Sequence, residues 1–265
     1  MPLLRRISEH ALAGSGARAR VYGGLIGKMS ASGGTRVVVV QEALLSKNKV
    51  FSEQNRSMFD AEGCLVLNIL SSPGAGKTTL LERTLADLAG TVRMGVIVGD
   101  LATDNDARRL QSSGAPVVQI TTQDICHLDA AMVQRAVHEL PRPLPEILFI
   151  ENVGNLVCPA SFDLGEHCRV ALMSVTEGED KPIKYPLLFS TADLVLVTKA
   201  DIAAAAGFDR DLAMRNLMAA APHADVIELS ARTGDGMEMW YDWLRNRQRK
   251  RGTDGDTQRR GAGVP

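Results

Sequence analysis

Small residues surround a lysine in the segment SSPGAGKTT, which follows a short apolar run and precedes a helix-like pattern. Phosphate oxygens need several backbone N–H groups at close range, and bulky side chains would block that approach. The lysine can reach the terminal phosphates, and the next hydroxyl can bind the magnesium that bridges them. The alternative is a glycine-rich turn that holds no ligand. We predict a nucleoside triphosphate site at Gly74, Ala75, Gly76, Lys77, Thr78 and Thr79.

Two carboxylates, Asp100 and Glu151, each follow an apolar run that predicts a buried strand. Acids at the carboxyl ends of parallel strands point into one crevice, where they can hold magnesium or orient the attacking water. Gly154 is typical of a switch whose backbone N–H approaches the γ-phosphate. The alternative for each acid is a helix cap. The predicted catalytic residues are Lys77, Asp100 and Glu151, and the predicted magnesium site comprises Thr78, Asp100 and Glu151.

The base is expected at Thr198, Lys199 and Asp201, which end another apolar run. An Asp201 carboxylate can accept hydrogen bonds from N1–H and the N2 amino group of guanine, whereas adenine would leave it unpaired. This predicts GTP and GDP as the bound nucleotides. Ser230, Ala231 and Arg232 follow the last apolar run and can offer a backbone N–H to guanine O6, although a capped turn fits them equally well.

Cys126, His127 and Cys158 follow strands on the same side of the predicted sheet. Two thiolates and an imidazole suit zinc or nickel, and three ligands leave one position open. Spacing alone equally allows two packed thiols and a capping histidine. His167 and Cys168 are possible extra ligands, or a polar pair at the surface.

The elements that position these residues follow from seven short apolar runs separated by helix-compatible segments. Unbroken apolar strands with long crossovers predict an α/β fold with a parallel, doubly wound sheet. We assign a flexible arm to 1–35, an amphipathic helix packing on the core to 36–60, a nucleotide-binding domain to 61–247 and a solvated tail to 248–265. The expected strands lie near 64–70, 94–98, 117–120, 147–150, 170–175, 193–198 and 225–229.

The overall composition excludes several classes of protein. Thirty basic and thirty-one acidic residues give a net charge of -1, so no nucleic acid and no anionic membrane is expected as a partner. No apolar stretch is long enough to span a bilayer, and the N-terminus lacks the apolar region of a secretory signal. Four irregularly spaced cysteines do not form a disulfide framework. We therefore expect a cytoplasmic protein with reduced thiols.

The chain from about Val37 to Trp243 resembles the HypB-type GTPases that help load nickel into [NiFe]-hydrogenases. The most specific stretches are ILFIENVGNLVCPASFDLGE, SVTEGEDKPIKYP, CHLDA and SSPGAGKTT, the last of which is the family's own form of the phosphate loop. The resemblance implies a P-loop NTPase fold of the SIMIBI-like G-domain type. It also implies nickel or zinc at Cys126, His127 and Cys158, with Asp100 orienting water.

The resemblance also implies the protein's partners. These are a second copy of the chain in a GTP-dependent homodimer with the metal site at its interface, a HypA-type maturation protein and the precursor of the hydrogenase large subunit. Two rivals remain open. One is an accessory GTPase for another nickel enzyme, of the urease type, and the other is a regulatory GTP switch with a structural zinc.

The chain departs from the family pattern at two places. Residues 1–60 contain no cysteine and only His10, so tight N-terminal nickel binding or storage is not expected. Thr198 replaces the usual asparagine, which puts in doubt the hydrogen bonds that tie neighbouring loops together. In the phosphate loop, Ser71 stands where the general pattern has its first glycine, but this residue is at home in the family.

Overall fold

A computed structural model describes residues 40–100, 105–122 and 125–261. The predicted arm at 1–35 lies outside the described residues. Seven parallel strands form one sheet in the order β3-β2-β4-β1-β5-β6-β7. The strands are β1 (Leu65–Leu70), β2 (Met94–Asp100), β3 (Val117–Thr121), β4 (Ile147–Glu151), β5 (Cys168–Ser174), β6 (Leu194–Thr198) and β7 (Asp225–Glu228). Each strand contains most of one predicted apolar run, which confirms the parallel α/β sheet.

Because crossovers between parallel strands are long, α-helices connect all successive strands except β4 and β5, which are joined by a loop. Two 3₁₀ turns, Pro159–Ser161 and Ala200–Ile202, interrupt the loops after β4 and β6. The helices are α1 (Val40–Glu62), α2 (Lys77–Asp87), α3 (Asn105–Gln111), α4 (Ala130–His138), α5 (Lys181–Lys184), α6 (Pro186–Ser190), α7 (Arg210–Ala220) and α8 (Met237–Gly261). None of the helices in the described ranges is long and apolar enough to cross a membrane.

Both faces of the sheet are buried, as the unbroken apolar strands predict. In β1, Leu65, Leu67 and Ile69 pack in one cluster with apolar side chains of α2 and α8. The alternate residue Val66 packs on the opposite face with Phe59 of α1 and residues of α4. Leu70 packs on that face with α6 and α7. Helices therefore cover both faces, and the doubly wound architecture is confirmed.

The long helix α1 binds the loops that follow β3 and β4. The buried Asn55 amide donates to the carbonyls of Ala130 (2.8 Å) and Leu164 (2.9 Å). Gly165 has a φ of +89°, and a Cβ at that position would lie 2.6 Å from the Ser52 carbonyl oxygen. Glycine is therefore needed both for the left-handed backbone and for the close approach to α1. These contacts fix the loops on this edge of the sheet.

Residues 248–261, which we assigned to a solvated tail, are helical in the structure, because α8 continues to Gly261. Arg251 donates to Asp60 of α1 at 2.6 Å, and Gln248 donates to Glu146 at 3.3 Å. Extending an existing helix orders only one residue for each new hydrogen bond. The charged composition of this segment gave no indication that it continues the helix that contains the buried residues Trp240 and Trp243.

His167 links the sheet to the end of α1. Its Nδ1 accepts a hydrogen bond from the Val66 N–H at 2.9 Å, and its Nε2 lies 3.2 Å from an oxygen of Asp60. Burial lowers the pKa of His167 to about 4, and the nearby charge of Arg251 adds to this shift. The folded protein therefore holds this imidazole neutral.

The unfolding free energy should fall as the pH drops from about 6.5 towards 4, because the unfolded chain then binds a proton that folded His167 resists. At pH 5 the loss from this residue is up to about 2 kcal/mol. The variant His167→Gln keeps an acceptor for Val66 but does not titrate, so it should lose less. Urea denaturation of both proteins at pH 7 and pH 5 measures the difference, and equal losses would contradict this assignment.

Candidate functional site

The phosphate loop occupies residues 71–76, between β1 and α2. Gly74 and Gly76 have φ values of +75° and +101°, which a side chain would strain. Lys77 begins α2 and is buried, and its Nζ donates to the Ser71 hydroxyl at 3.0 Å. Ser71 is not in the left-handed region, so a glycine is not needed there. Ser71 instead holds the lysine across the turn.

Glu151 ends β4 beside this loop. The Thr78 hydroxyl donates to Glu151 Oε1 at 2.7 Å, and Glu151 Oε2 is buried without a hydrogen-bond partner among the described residues. Burial raises the pKa of Glu151 to about 7, although the Lys77 charge opposes the shift. A divalent cation would offset this desolvation, and a hydroxyl beside a carboxylate supplies the hard oxygens that magnesium prefers. The side chains present therefore fit a magnesium ion.

A cavity of about 520 Å³ joins the loop to the ends of β2 and β4. Asp100 and Glu151 both line it, together with Lys77 and Thr78. A Cβ on Gly154 would lie 3.0 Å from the backbone of Pro73, so the chain after Glu151 runs tightly against the phosphate loop. The crevice predicted from the strand ends is therefore present.

Arg109 and Asp106 of α3 also line this cavity, although no sequence motif predicted them. Arg109 makes two hydrogen bonds to Glu82 of α2, at 2.9 and 2.6 Å. It also donates to the Thr79 hydroxyl at 3.3 Å. An arginine on a short helix lies within no recognisable motif, so only the tertiary fold reveals its position.

A second cavity, of about 270 Å³, lies on the other side of the phosphate loop and shares Gly76, Thr79 and Lys199 with the first. The Thr198 hydroxyl donates to the Ala75 carbonyl at 2.7 Å, and Lys199 Nζ donates to the Gly74 carbonyl at 2.8 Å. Thr198 therefore ties this loop to the phosphate loop despite replacing asparagine. The predicted base-binding residues that line this cavity are Thr198, Lys199, Asp201, Ser230, Ala231 and Arg232.

Cys126, His127 and Cys158 come together, with one ligand atom of each within 4.8 Å of the others. The His127 ring stacks on Phe162 at a centroid distance of 4.0 Å, and its Nδ1 is buried without a partner among the described residues. Burial and the adjacent Cys126 thiol raise the pKa of Cys158. Two soft sulfur atoms and an unpaired imidazole nitrogen fit a zinc or nickel ion.

His167 and Cys168 do not belong to this cluster, so the possibility that they are extra ligands is not supported. The nitrogens of His167 contact Val66 and Asp60, and Cys168 is buried at the start of β5. Among the described residues, the cluster of possible metal ligands contains Cys126, His127 and Cys158 alone. The physical reason is the strand direction. Cys168 begins β5 at the amino ends of the parallel strands, whereas the cluster lies beyond their carboxyl ends.

Asn152 is a site residue that the sequence analysis missed. Its Oδ1 accepts hydrogen bonds from the Leu128 N–H at 3.3 Å and the Val153 N–H at 2.9 Å. The side chain thus bridges the segment after Glu151 to the residue after His127. An amide beside a carboxylate carries no chemistry of its own, so the motif alone did not single it out.

The fold and the phosphate loop define a P-loop nucleotide-binding protein, and comparison with known proteins agrees. Residues 65–228 match the family model described as CobW/HypB/UreG, nucleotide-binding domain. Hydrogenase maturation factor HypB of Rhizobium leguminosarum bv. viciae is 48% identical over 209 residues, which cover 79% of this chain and 70% of that protein. The protein of the same name from Escherichia coli strain K12 is 49% identical over 209 residues, covering 79% and 72%.

A solved structure supports the same relationship. HypB from Helicobacter pylori, crystallised in complex with nickel, superimposes with a TM-score of 0.74 at 38% identity. The match covers 77% of this chain and 96% of the other. The chain belongs to the CobW/HypB/UreG family, within its HypB-type hydrogenase maturation factors.

Replacing Thr198 with valine should weaken nucleotide binding about five- to tenfold, because the bond to Ala75 that holds the two loops together is lost. Thr198→Ser keeps the hydroxyl and serves as the matched control, with nearly unchanged affinity. Titration with a fluorescently labelled nucleoside triphosphate measures both. If the valine variant binds as tightly as the serine variant, the hydroxyl does not position the phosphate loop.

Proposed function

We propose that this protein is a GTP-hydrolysing metallochaperone that assists the insertion of nickel into a [NiFe]-hydrogenase. The observation that best supports this proposal is that one short segment, residues 151–158, contributes side chains to two sites. Glu151 lines the phosphate-side cavity, and Cys158 belongs to the cysteine and histidine cluster. Relatives of nearly half identity are named for hydrogenase maturation, which favours this client over a urease.

The preference for GTP rests on Asp201. Its carboxylate lines the smaller cavity, where it can accept the N1–H and N2 amino hydrogens of guanine. The Ser230 N–H already donates to the Asp235 carbonyl at 2.8 Å. A contact with guanine O6 from this turn therefore falls to Ala231 or Arg232, and both line the cavity.

Hydrolysis uses the residues around the larger cavity. Lys77 places its charge beside the β- and γ-phosphates, and Asp100 orients the attacking water. Thr78 and Glu151 would hold magnesium, which supplies charge neutralisation between the phosphates. The backbone at Gly154 packs against Pro73, where its N–H can approach the γ-phosphate. Loss of that phosphate would then release the segment towards Cys158.

The cluster of Cys126, His127 and Cys158 carries the metal in this proposal. Three ligands leave a position for exchange, whereas structural zinc sites close with four protein ligands. The nickel complex of the Helicobacter pylori relative supports nickel over zinc as cargo. A HypA-type protein and the large-subunit precursor are the proposed partners in transfer.

GTP-dependent homodimerisation would place this cluster at an interface. Ile125 and Val157, which precede the two cysteines, expose 41% and 47% of their surfaces. Exposed apolar side chains beside a half-buried metal cluster favour a second protein surface at this position. A second copy would cover these side chains and could complete the coordination of the metal.

Two variants test the nucleotide and metal halves of this proposal, and each is the control for the other. Asp201→Asn should lose at least about 100-fold in GTP affinity, because an amide donor replaces the acceptor that guanine needs. It should gain affinity for XTP, since xanthine carries a carbonyl oxygen where guanine carries its amino group. Its nickel affinity should stay unchanged.

Cys158→Ser should bind GTP normally but lose at least about tenfold in nickel affinity, because a weaker hydroxyl ligand replaces the thiolate. Isothermal titration with each nucleotide and competition against a nickel chelator provide the measurements. Equal affinity of the unmodified protein for ATP and GTP would overturn the nucleotide assignment. Unchanged nickel binding by Cys158→Ser would overturn the metal assignment.

A further inference from the structure

Leu128 lies where the nucleotide and metal regions meet. It follows His127 directly and is fully buried. Its N–H donates to Asn152 Oδ1, one residue beyond Glu151. Its side chain packs on Gly99, one residue before Asp100, where an added Cβ would lie 2.8 Å from Leu128 Cγ. One residue beside a metal ligand thus contacts both strand ends that carry the phosphate-side carboxylates.

The Asn152 side chain is held firmly in this position. Its Nδ2 donates to Asn68 Oδ1 at 3.2 Å, and the Asn68 amide donates to buried Glu166 at 3.2 Å. The Asn152 Oδ1 also accepts from the Val153 N–H. Since all three asparagine and glutamate side chains are buried, turning Asn152 away would leave unpaired polar groups. A displacement of residues 151–153 must therefore displace Leu128.

The same polar network reaches His127 from its other side. Glu166 accepts from Arg169 at 2.7 Å, and Arg169 donates to the carbonyl of Phe162 at 3.1 Å. Phe162 is the ring that stacks on His127. His127 is thus held by its own neighbour Leu128 and by Phe162, and both connect to Asn152 through buried or partly buried hydrogen bonds.

We propose that Asn152 is a positioning residue that makes the metal affinity of His127 depend on the bound nucleotide, acting through Leu128. The inference rests on the proposed function, because it names the route by which that function couples its two sites. Cys158 follows Glu151 along the chain, whereas His127 comes from a different loop. The bond of Asn152 to Leu128 carries a movement of the 151–154 segment to His127, and displacing this imidazole relative to the two thiols changes the metal affinity.

The test is the ratio of nickel dissociation constants in complexes with GDP and with a non-hydrolysable GTP analogue. The wild-type ratio should differ from one by at least about fivefold, a typical coupling between linked sites. Asn152→Ala removes the bond to Leu128 and should bring the ratio to within about twofold of one. Asn55→Ala is the matched control, because it removes a buried asparagine whose amide donates to the carbonyls of Ala130 and Leu164 and not to residues 151–154. Its ratio should remain that of the wild type.

Retention of the wild-type ratio by Asn152→Ala, or an equal loss in Asn55→Ala, would overturn the inference while leaving the proposed function intact. A wild-type ratio of one would overturn the proposed coupling as well. Thermal unfolding checks that each variant is folded.

A second pair of variants tests the other contact of Leu128 should Asn152→Ala fail to fold. Gly99→Ala pushes a methyl group into the Leu128 side chain, so nickel affinity without nucleotide should change at least about threefold. The double variant Gly99→Ala with Leu128→Ala makes room for that methyl group and should restore the affinity. No change in the single variant, or no restoration in the double variant, would overturn the role of Leu128.

Discussion

The short segment from Glu151 to Cys158 has to satisfy two sites at once, and the remaining structure is arranged around this constraint. Seven residue steps span at most about 25 Å, so the nucleotide and metal regions stay mechanically close. At one end, Thr78 holds Glu151 beside the phosphate loop. At the other end, Cys158 lies beside Cys126 and His127.

Both sites keep a polar atom without a partner among the described residues. Glu151 Oε2 and His127 Nδ1 are buried and make no hydrogen bond there. An unpaired buried polar atom costs about 1–3 kcal/mol, so each is a local strain that a ligand can relieve. Binding to the folded chain in turn stabilises it. The unpaired Glu151 Oε2 and His127 Nδ1 therefore cost free energy on folding, and the same two atoms are suited to bind cations.

The sequence predicted the sheet well because its strands are buried on both faces. Runs such as Leu65–Leu70 and Leu194–Thr198 contain almost only apolar residues, which leaves little ambiguity about their extent. The phosphate-loop and base-binding residues could be predicted because phosphate and guanine favour specific residue types at fixed spacing. Both cavities are lined by the residues expected from these motifs.

The features that could not be predicted from the sequence depend on contacts between residues far apart in the chain. The helical extension to Gly261 follows from the ties of Gln248 and Arg251 to other elements, which composition cannot reveal. Arg109 reaches the phosphate side only through the packing of α3 on α2. Asn152 is important for its hydrogen bond to Leu128, which lies 24 positions away in the chain. Residues whose side chains would bind ligands were therefore predictable from the sequence, whereas residues that only hold those side chains in place were not.

In the proposed function, nucleotide state moves the segment that carries Cys158. The most direct measurement is the rate at which Cys158 reacts with a thiol reagent in metal-free Cys126→Ser protein, where the remaining cysteines, Cys64 and Cys168, are buried. The rate is compared between magnesium complexes of GDP and of a non-hydrolysable GTP analogue. We expect the rates to differ several-fold between the two complexes, and identical rates would show that nucleotide state does not move this segment.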